Sequence, residues 1–174
     1  GDYWVPTVAY VDVEFDSIEG GTGSYAWSQI STYYDQGGVI AARVMALDNG
    51  VTREDIYQDG VRIETVETDD SQGSEAVTWA NITTLYDNGD RVLRDTRYDD
   101  GTARSEVFDQ GLRVQTTEVD ESIDGAARKF QQLVTQFDAE GAMSQRDILF
   151  DNGVQRVDEF DAGQRSRTVE TDVE

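Results

Sequence analysis

The chain has 174 residues, of which 36 are acidic and 14 basic, for a formal net charge of −22. So acidic a surface repels nucleic acid and anionic membranes and attracts cations. Cys and His are both absent, which excludes disulfides, thiolate and imidazole metal sites, and the Ser-His-Asp and Cys-His nucleophile systems.

Leu, Ile, Val and Phe make up about 22% of the chain, just above the range in which highly charged sequences stay unfolded. A thick central core is therefore not expected. An extended sheet with local aromatic packing fits better. Self-repulsion should make added salt or divalent ions stabilising. Lys129 is the sole lysine among the basic residues, a bias of salt-exposed proteins and equally of GC-rich coding. No run of 18 apolar residues is present, so no membrane span is expected.

The chain opens with "GDYWVPTVAY". This lacks the positive and apolar regions of a signal peptide, so Gly1 reads as a processed boundary. The stretch Tyr3 to Phe15 reads as a strand. "VDVEFDSIEGGTGSYAW" from Val11 matches "VETDDSQGSEAVTW" from Val66, so residues 1–23 are read as the last strand of a preceding unit plus a connection. Within it, "EGGTGS" at Glu19–Ser24 resembles the start of a calcium-binding nonapeptide, but the Asp and the tandem copies are missing. It is read as a turn.

From residue 24 the chain repeats itself with a period of about 51 residues. Tyr34, Tyr86 and Phe137 are in phase, as are Leu47, Tyr98 and Phe150, and Tyr57, Phe108 and Phe160. Trp27, Trp79 and Phe130 align, and so do three glycine sets: Gly37, Gly89, Gly141; Gly50, Gly101, Gly153; Gly60, Gly111, Gly163. The units are placed at 24–75, 76–126 and 127–174, in one continuous repeat domain. Each reads as four strands joined by Asp-Asn-Gly, Asp-Asp-Gly or Gln-Asp-Gly turns, since Gly accepts positive φ and Asn or Asp tolerates it. In the second unit the strands are expected at Ala76–Tyr86, Arg91–Tyr98, Thr102–Phe108 and Leu112–Val119.

Alternation puts Leu112, Val114 and Thr116 on one face and Arg113, Gln115 and Thr117 on the other. In the first strand the parity breaks after Trp79, which predicts a bulge near Ala80–Asn81 and equivalent ones after Trp27 and Phe130. "GAARKFQQLVTQF" from Gly125 is the best helical candidate, but its phase with the Trp79 strand argues for β. The middle strands are polar on both faces, with Arg91, Arg94, Arg97, Arg104 and Glu106 available for cross-strand ion pairs. The aromatic ahead of each turn, together with the Trp position, is the expected core. The fold class is thus all-β: an antiparallel meander of about thirteen strands in an open single-layer or coiled sheet. Partial β-propeller blades are the alternative, because four strands per unit also describe a blade.

"LYDNGDRVLRDTRYDDGTARSEVFDQG" resembles the YD repeats of large bacterial secreted and surface proteins, the Rhs-like group. The turns here are tighter, and the Gly-Arg-Leu that usually comes after the turn is mostly absent. The resemblance implies long β-hairpin sheets able to wrap into shells. The acidic, Lys-poor units with "YAW" or "VTW" also resemble repeat regions of large type I-secreted, calcium-associated proteins of marine bacteria. That likeness implies an extracellular or cell-surface stalk or adhesive array.

No catalytic, cofactor or metal residues are singled out. Each Asp recurs as a turn residue, whereas a catalytic acid should break the repeat. The acidic connections at Asp69-Asp70, Asp120-Glu121-Asp124 and Asp172-Glu174 read as solvated loops, with weak Ca2+ binding as the alternative. "NIT" at Asn81 fits a glycosylation sequon but falls in an expected strand. The functional expectation is a non-catalytic structural segment: a spacer, adhesin stalk or filament element, not an enzyme, elongated and dependent on salt or calcium for stability. Its partners would be neighbouring repeats or further copies, joined by addition at sheet edges. The alternative is a carbohydrate- or protein-binding module using Tyr25, Trp27, Tyr33 and Trp79 on one sheet face. A two-carboxylate hydrolase is the remaining class.

Overall fold

A computed structural model describes residues 8–16, 26–69, 77–122 and 127–172. These residues form thirteen strands. In chain order they are β1 (Tyr10–Phe15), β2 (Trp27–Tyr34), β3 (Ile40–Leu47), β4 (Val51–Gln58), β5 (Val61–Asp69), β6 (Trp79–Asp87) and β7 (Asp90–Tyr98). They continue with β8 (Thr102–Asp109), β9 (Leu112–Asp120), β10 (Phe130–Phe137), β11 (Met143–Phe150), β12 (Val154–Asp161) and β13 (Gln164–Asp172). The strands succeed one another in sequence order in one antiparallel sheet that is not closed into a barrel. The expected all-β meander is what the chain forms, and the segment around Lys129 leads into β10, not into a helix. Separate propeller blades are ruled out: β5 pairs with β6, and β9 with β10, so the sheet runs on where blades would part.

Contacts divide the chain into two units, residues 1–89 and 90–174. In the first, consecutive register pairs trace a row across the strands: Asp12, Thr32, Arg43, Asp55, Thr65, Thr84. In the second, the corresponding row is Arg94, Glu106, Thr116, Thr135, Arg146, Asp158, Thr168. A flanking row on the same face reads Glu14, Ile30, Met45, Arg53, Glu67, Ile82 in the first unit. In the second it reads Thr96, Arg104, Glu118, Leu133, Ile148, Arg156, Glu170.

The buried residues lie largely along these rows, and most of them are polar. Thr32, Asp55, Thr65, Thr84, Thr96, Thr116, Thr135 and Asp158 are all buried, whereas among the described residues the buried hydrophobes are only Ala41, Val51, Ile82 and Ile148. The expected ring core is corrected accordingly. Tyr34, Tyr57, Tyr86, Tyr98, Phe108, Phe137, Phe150 and Phe160 are half-buried, as are Trp27, Trp79 and Phe130. One sheet offers a large ring no second layer to cover it, while a threonine or carboxylate flanked by long arginine stems is covered within the sheet itself.

The bulges expected after Trp27 and Phe130 are present as register shifts between Trp27 and Gln29 and between Phe130 and Gln132. A second set was not anticipated. Shifts at Ile56/Tyr57, Val107/Phe108 and Glu159/Phe160 drop one residue from β5, β9 and β13 beside the tight turn. In β9 this pairs Phe108 with Arg113 and Val107 with Gln115, leaving Val114 unpaired. Arg113 therefore shares a face with Thr116, contrary to simple alternation.

Candidate functional site

On this face each sequence period carries one carboxylate in a cluster of basic side chains and threonine. In the first, Asp55 on β4 accepts a hydrogen bond of 2.6 Å from the Thr65 hydroxyl of β5. Arg53 donates to the same Oδ1 from Nε and Nη2, at 3.2 and 3.1 Å, and Arg62 lies 3.6 Å away. In the third, Asp158 on β12 is fully buried. It accepts from Thr168 at 2.6 Å and from Arg146 at 2.8 Å, with Arg156 and Arg165 at 3.6 and 3.8 Å. Burial pushes its carboxyl pKa up, but the Thr168 hydroxyl and the Arg146 guanidinium outweigh burial and hold it below the usual value.

The middle cluster departs from this. Glu106 stands where the others have Asp, bonded to Arg104 at 3.2 Å and Arg113 at 3.0 Å, with Arg94 at 3.9 Å. Here the threonine hydroxyl is stranded: Thr116 Oγ1 is buried and has no hydrogen-bond partner. The extra methylene carries the carboxylate out to the arginines and away from the hydroxyl.

Guanidinium groups also lie against four of the periodic rings. Arg62 lies over Tyr86 at 4.3 Å and Arg113 over Phe137 at 4.4 Å, each reaching from a strand of one period to the first full strand of the next. Arg91 covers Phe108 and Arg146 lies beside Phe160. On β2 the same ring position, Tyr34, is covered by Tyr10 of β1, stacked at 4.5 Å.

The connection after β9 is tied down by polar contacts. Asp120 accepts from the Ser122 amide and hydroxyl and from the Arg128 amide, which holds its carboxyl pKa low. Arg97 pairs with Glu121 at 2.8 Å and Arg128 with Asp100 at 3.1 Å. The Asp120 oxygens thus face their own loop's donors. Among the described residues no group of three or more His, Cys, Asp or Glu is placed to hold a metal ion. Asp70, Asp124, Glu174, Tyr25 and the Glu19–Ser24 stretch lie outside the described residues.

A pocket of about 220 Å³ opens beside this connection, with Tyr98 and Phe130 in its walls and Arg104, Arg128 and Glu118 as its charged groups. The aromatic platform expected of a glycan-binding face is not assembled by Trp27 and Tyr33. Trp27 pairs with Leu47 and Tyr33 with Ala42, which places the two rings on opposite faces. Asn81 of the sequon lies within β6, half-buried, its Oδ1 accepting from Thr83. No helix among the described residues is long and apolar enough to cross a membrane.

Of the side chains expected to pair across the middle strands, Arg94 and Glu106 do so, whereas Arg104 bonds Glu106 within β8, Arg97 reaches Glu121 and Arg91 covers Phe108. The convergence on one carboxylate per period was not expected. The signal was available: Arg43, Arg94 and Arg146 recur in phase, as do Arg53, Arg104 and Arg156, Arg62, Arg113 and Arg165, and Thr65, Thr116 and Thr168. A scan against protein-family models and a search of curated proteins found no match to this chain.

Proposed function

We propose that the chain is a non-catalytic structural segment, three four-stranded units of a β-array of the YD-repeat kind, serving as a spacer or stalk of a secreted or cell-surface protein. The observation that carries this reading is the use of one acid per period in the polar row. Asp55, Glu106 and Asp158 occupy equivalent places, and each is engaged by arginine. A general acid or base is instead set apart from its surroundings by an environment tuned to its task. Further units or copies add at the sheet edges in this reading, because unpaired edge strands accept neighbours through their backbone.

The test is a panel of glycan, peptide and phosphoester substrates, incubated with the folded chain with and without Ca2+. The reading expects no turnover in any well. Hydrolysis that disappears on replacing a single acid by its amide contradicts it.

The second reading, a binding module, rests on the pocket between Tyr98 and Phe130, where ring faces and two guanidinium groups suit a flat, anionic sugar or side chain. Binding on a glycan array that is lost in Arg104→Ala would favour it.

A further inference from the structure

Three strands share one place in the sequence period. β5 and β9 are the fourth strands of their units, each between the third strand of its own unit and the first strand of the next, and β13 is their counterpart. Their inward edges match: Asp55 pairs with Thr65, Glu106 with Thr116 and Asp158 with Thr168. Their outward edges do not have the same surroundings. Thr65 of β5 pairs with Thr84 of β6, and Thr116 of β9 with Thr135 of β10. The outward edge of β13 has no neighbouring strand among the described residues, and all nine of its residues are exposed.

The guanidinium groups record the difference. Arg62 and Arg113 each lie against a carboxylate and beneath a ring of the next strand, with side chains 34% and 38% exposed. Arg165, the third of the set, has its carboxylate, Asp158, but no ring among the described residues, and is 51% exposed. The strand that would fit the outward edge of β13 is therefore specified position by position. It carries an aromatic over Arg165, a threonine beside Thr168 and an aliphatic side chain beside Glu170.

β2 has that pattern in Tyr34, Thr32 and Ile30. Its partner is β1, which sits on it in the register that β5 uses on β6: Asp12 lies opposite Thr32 and Glu14 opposite Ile30. β1 is six residues long, is exposed throughout, and offers a tyrosine to Tyr34 where β5 and β9 offer an arginine to their rings.

We propose that β1 is a replaceable stand-in and that β13 of one copy takes its place beside β2 of another, so that copies join through strand exchange in a fixed register. The inference rests on the array reading and goes beyond it in naming the partner strand and the pairing. Exchange keeps the backbone hydrogen bonds of the β2 edge, completes the cation–π contact of Arg165 with Tyr34, and continues the row from Thr168 to Thr32.

The absence of native cysteine makes the register testable by disulfide trapping. By analogy with the Thr68–Asn81 and Val119–Gln132 pairs, Thr171 of one copy should lie opposite Gln29 of the next. Gln29→Cys and Thr171→Cys, made separately in the full chain and mixed under mild oxidation, should give a mixed disulfide dimer. Gln29→Cys mixed with Arg167→Cys, four residues out of register, should not. Light scattering of the unmodified chain should show mass rising with concentration, and Arg165→Ala, if it retains the β-sheet circular dichroism, should associate roughly two- to five-fold more weakly.

A strict monomer at every concentration overturns the proposal, as does association that traps Arg167→Cys as readily as Thr171→Cys. Neither result touches the reading of the chain as a non-catalytic structural segment, which turnover of a substrate would overturn instead.

Discussion

Glu106 shows how much one methylene matters in this sheet. Its neighbour Thr116 has a buried hydroxyl with nothing to bond, whereas Thr65 and Thr168 each donate to an aspartate at 2.6 Å. Glu106→Asp should give Thr116 its acceptor and raise stability by about 0.5–1.5 kcal/mol, the net worth of a typical hydrogen bond. Thermal unfolding reads this directly, and an unchanged or lower midpoint would contradict it. Asp158 gives the pH dependence. Its folded pKa lies below the usual 3.8 because Thr168 and Arg146 outweigh the burial that pushes it up. As pH falls, the unfolded chain is protonated first, so the contribution is full above about pH 4 and is lost as pH drops towards the folded value. The stability of Asp158→Asn should therefore vary less with acid than that of the unmodified chain over this range, as measured by urea unfolding at a series of pH values. These threonines and arginines were visible in the sequence as phased letters. Their shared face was not, because alternation from Leu112 assigns Arg113 to the wrong side once Val114 is looped out.

At the scale of the strand and turn, one tripeptide folds in two ways. Asp87-Asn88-Gly89 has positive φ at both Asn88 and Gly89, and β6 and β7 are separated by those two residues alone. Asp48-Asn49-Gly50 has positive φ only at Gly50, whose amide bonds Leu47, while the Asn49 side chain accepts from the Val51 amide. The residue after the glycine differs between the two: Asp90 stays exposed, whereas Val51 is buried. The longer loop lets Val51 reach the covered face, so tertiary burial selects the turn that local sequence leaves open. The glycine alignment fails for a related reason. Gly38, not Gly37, takes the positive φ: it lies three residues after Asp35, as Gly141 lies after Asp138, because both aspartates cap a loop one residue longer than Asp87-Asn88-Gly89. Gly101 and Gly111 separate the cost of conformation from that of contact. Both have positive φ, but a Cβ on Gly101 would meet Ser122 Cα at 2.8 Å, whereas one on Gly111 meets nothing within 4 Å. Gly111→Ala should cost about 1 kcal/mol. Gly101→Ala should cost clearly more and expose the connection after β9 to proteolysis, which limited digestion and mass spectrometry would detect. Equal losses in the two variants would contradict this account.

At the scale of the whole molecule, composition was a sound guide to how the chain is held together. Few aliphatic residues meant a thin apolar core, and the buried residues are indeed mostly threonine and aspartate. The rings misled because periodic aromatics usually mark a core, and here they are half-buried, with Tyr86, Phe108 and Phe137 under guanidinium groups. With a net charge of −22, raising NaCl from about 10 mM to 1 M, which shortens the screening length from about 30 to 3 Å, should raise the unfolding midpoint. Buried pairs such as Arg146–Asp158 are screened less than the surface charge that repels itself. A midpoint that falls with salt would mean that exposed ion pairs dominate.

The central claim is that the carboxylates of the polar row, not the rings, hold successive strands together. Equilibrium urea unfolding at pH 7 of Asp55→Asn and Asp158→Asn, with the exposed Asp161→Asn as control, tests it most directly. Each row variant should lose about 1.5–3 kcal/mol, the worth of hydrogen bonds to a charged group, and Asp161→Asn should lose less than about 0.5 kcal/mol. Row variants as stable as the control would contradict the account.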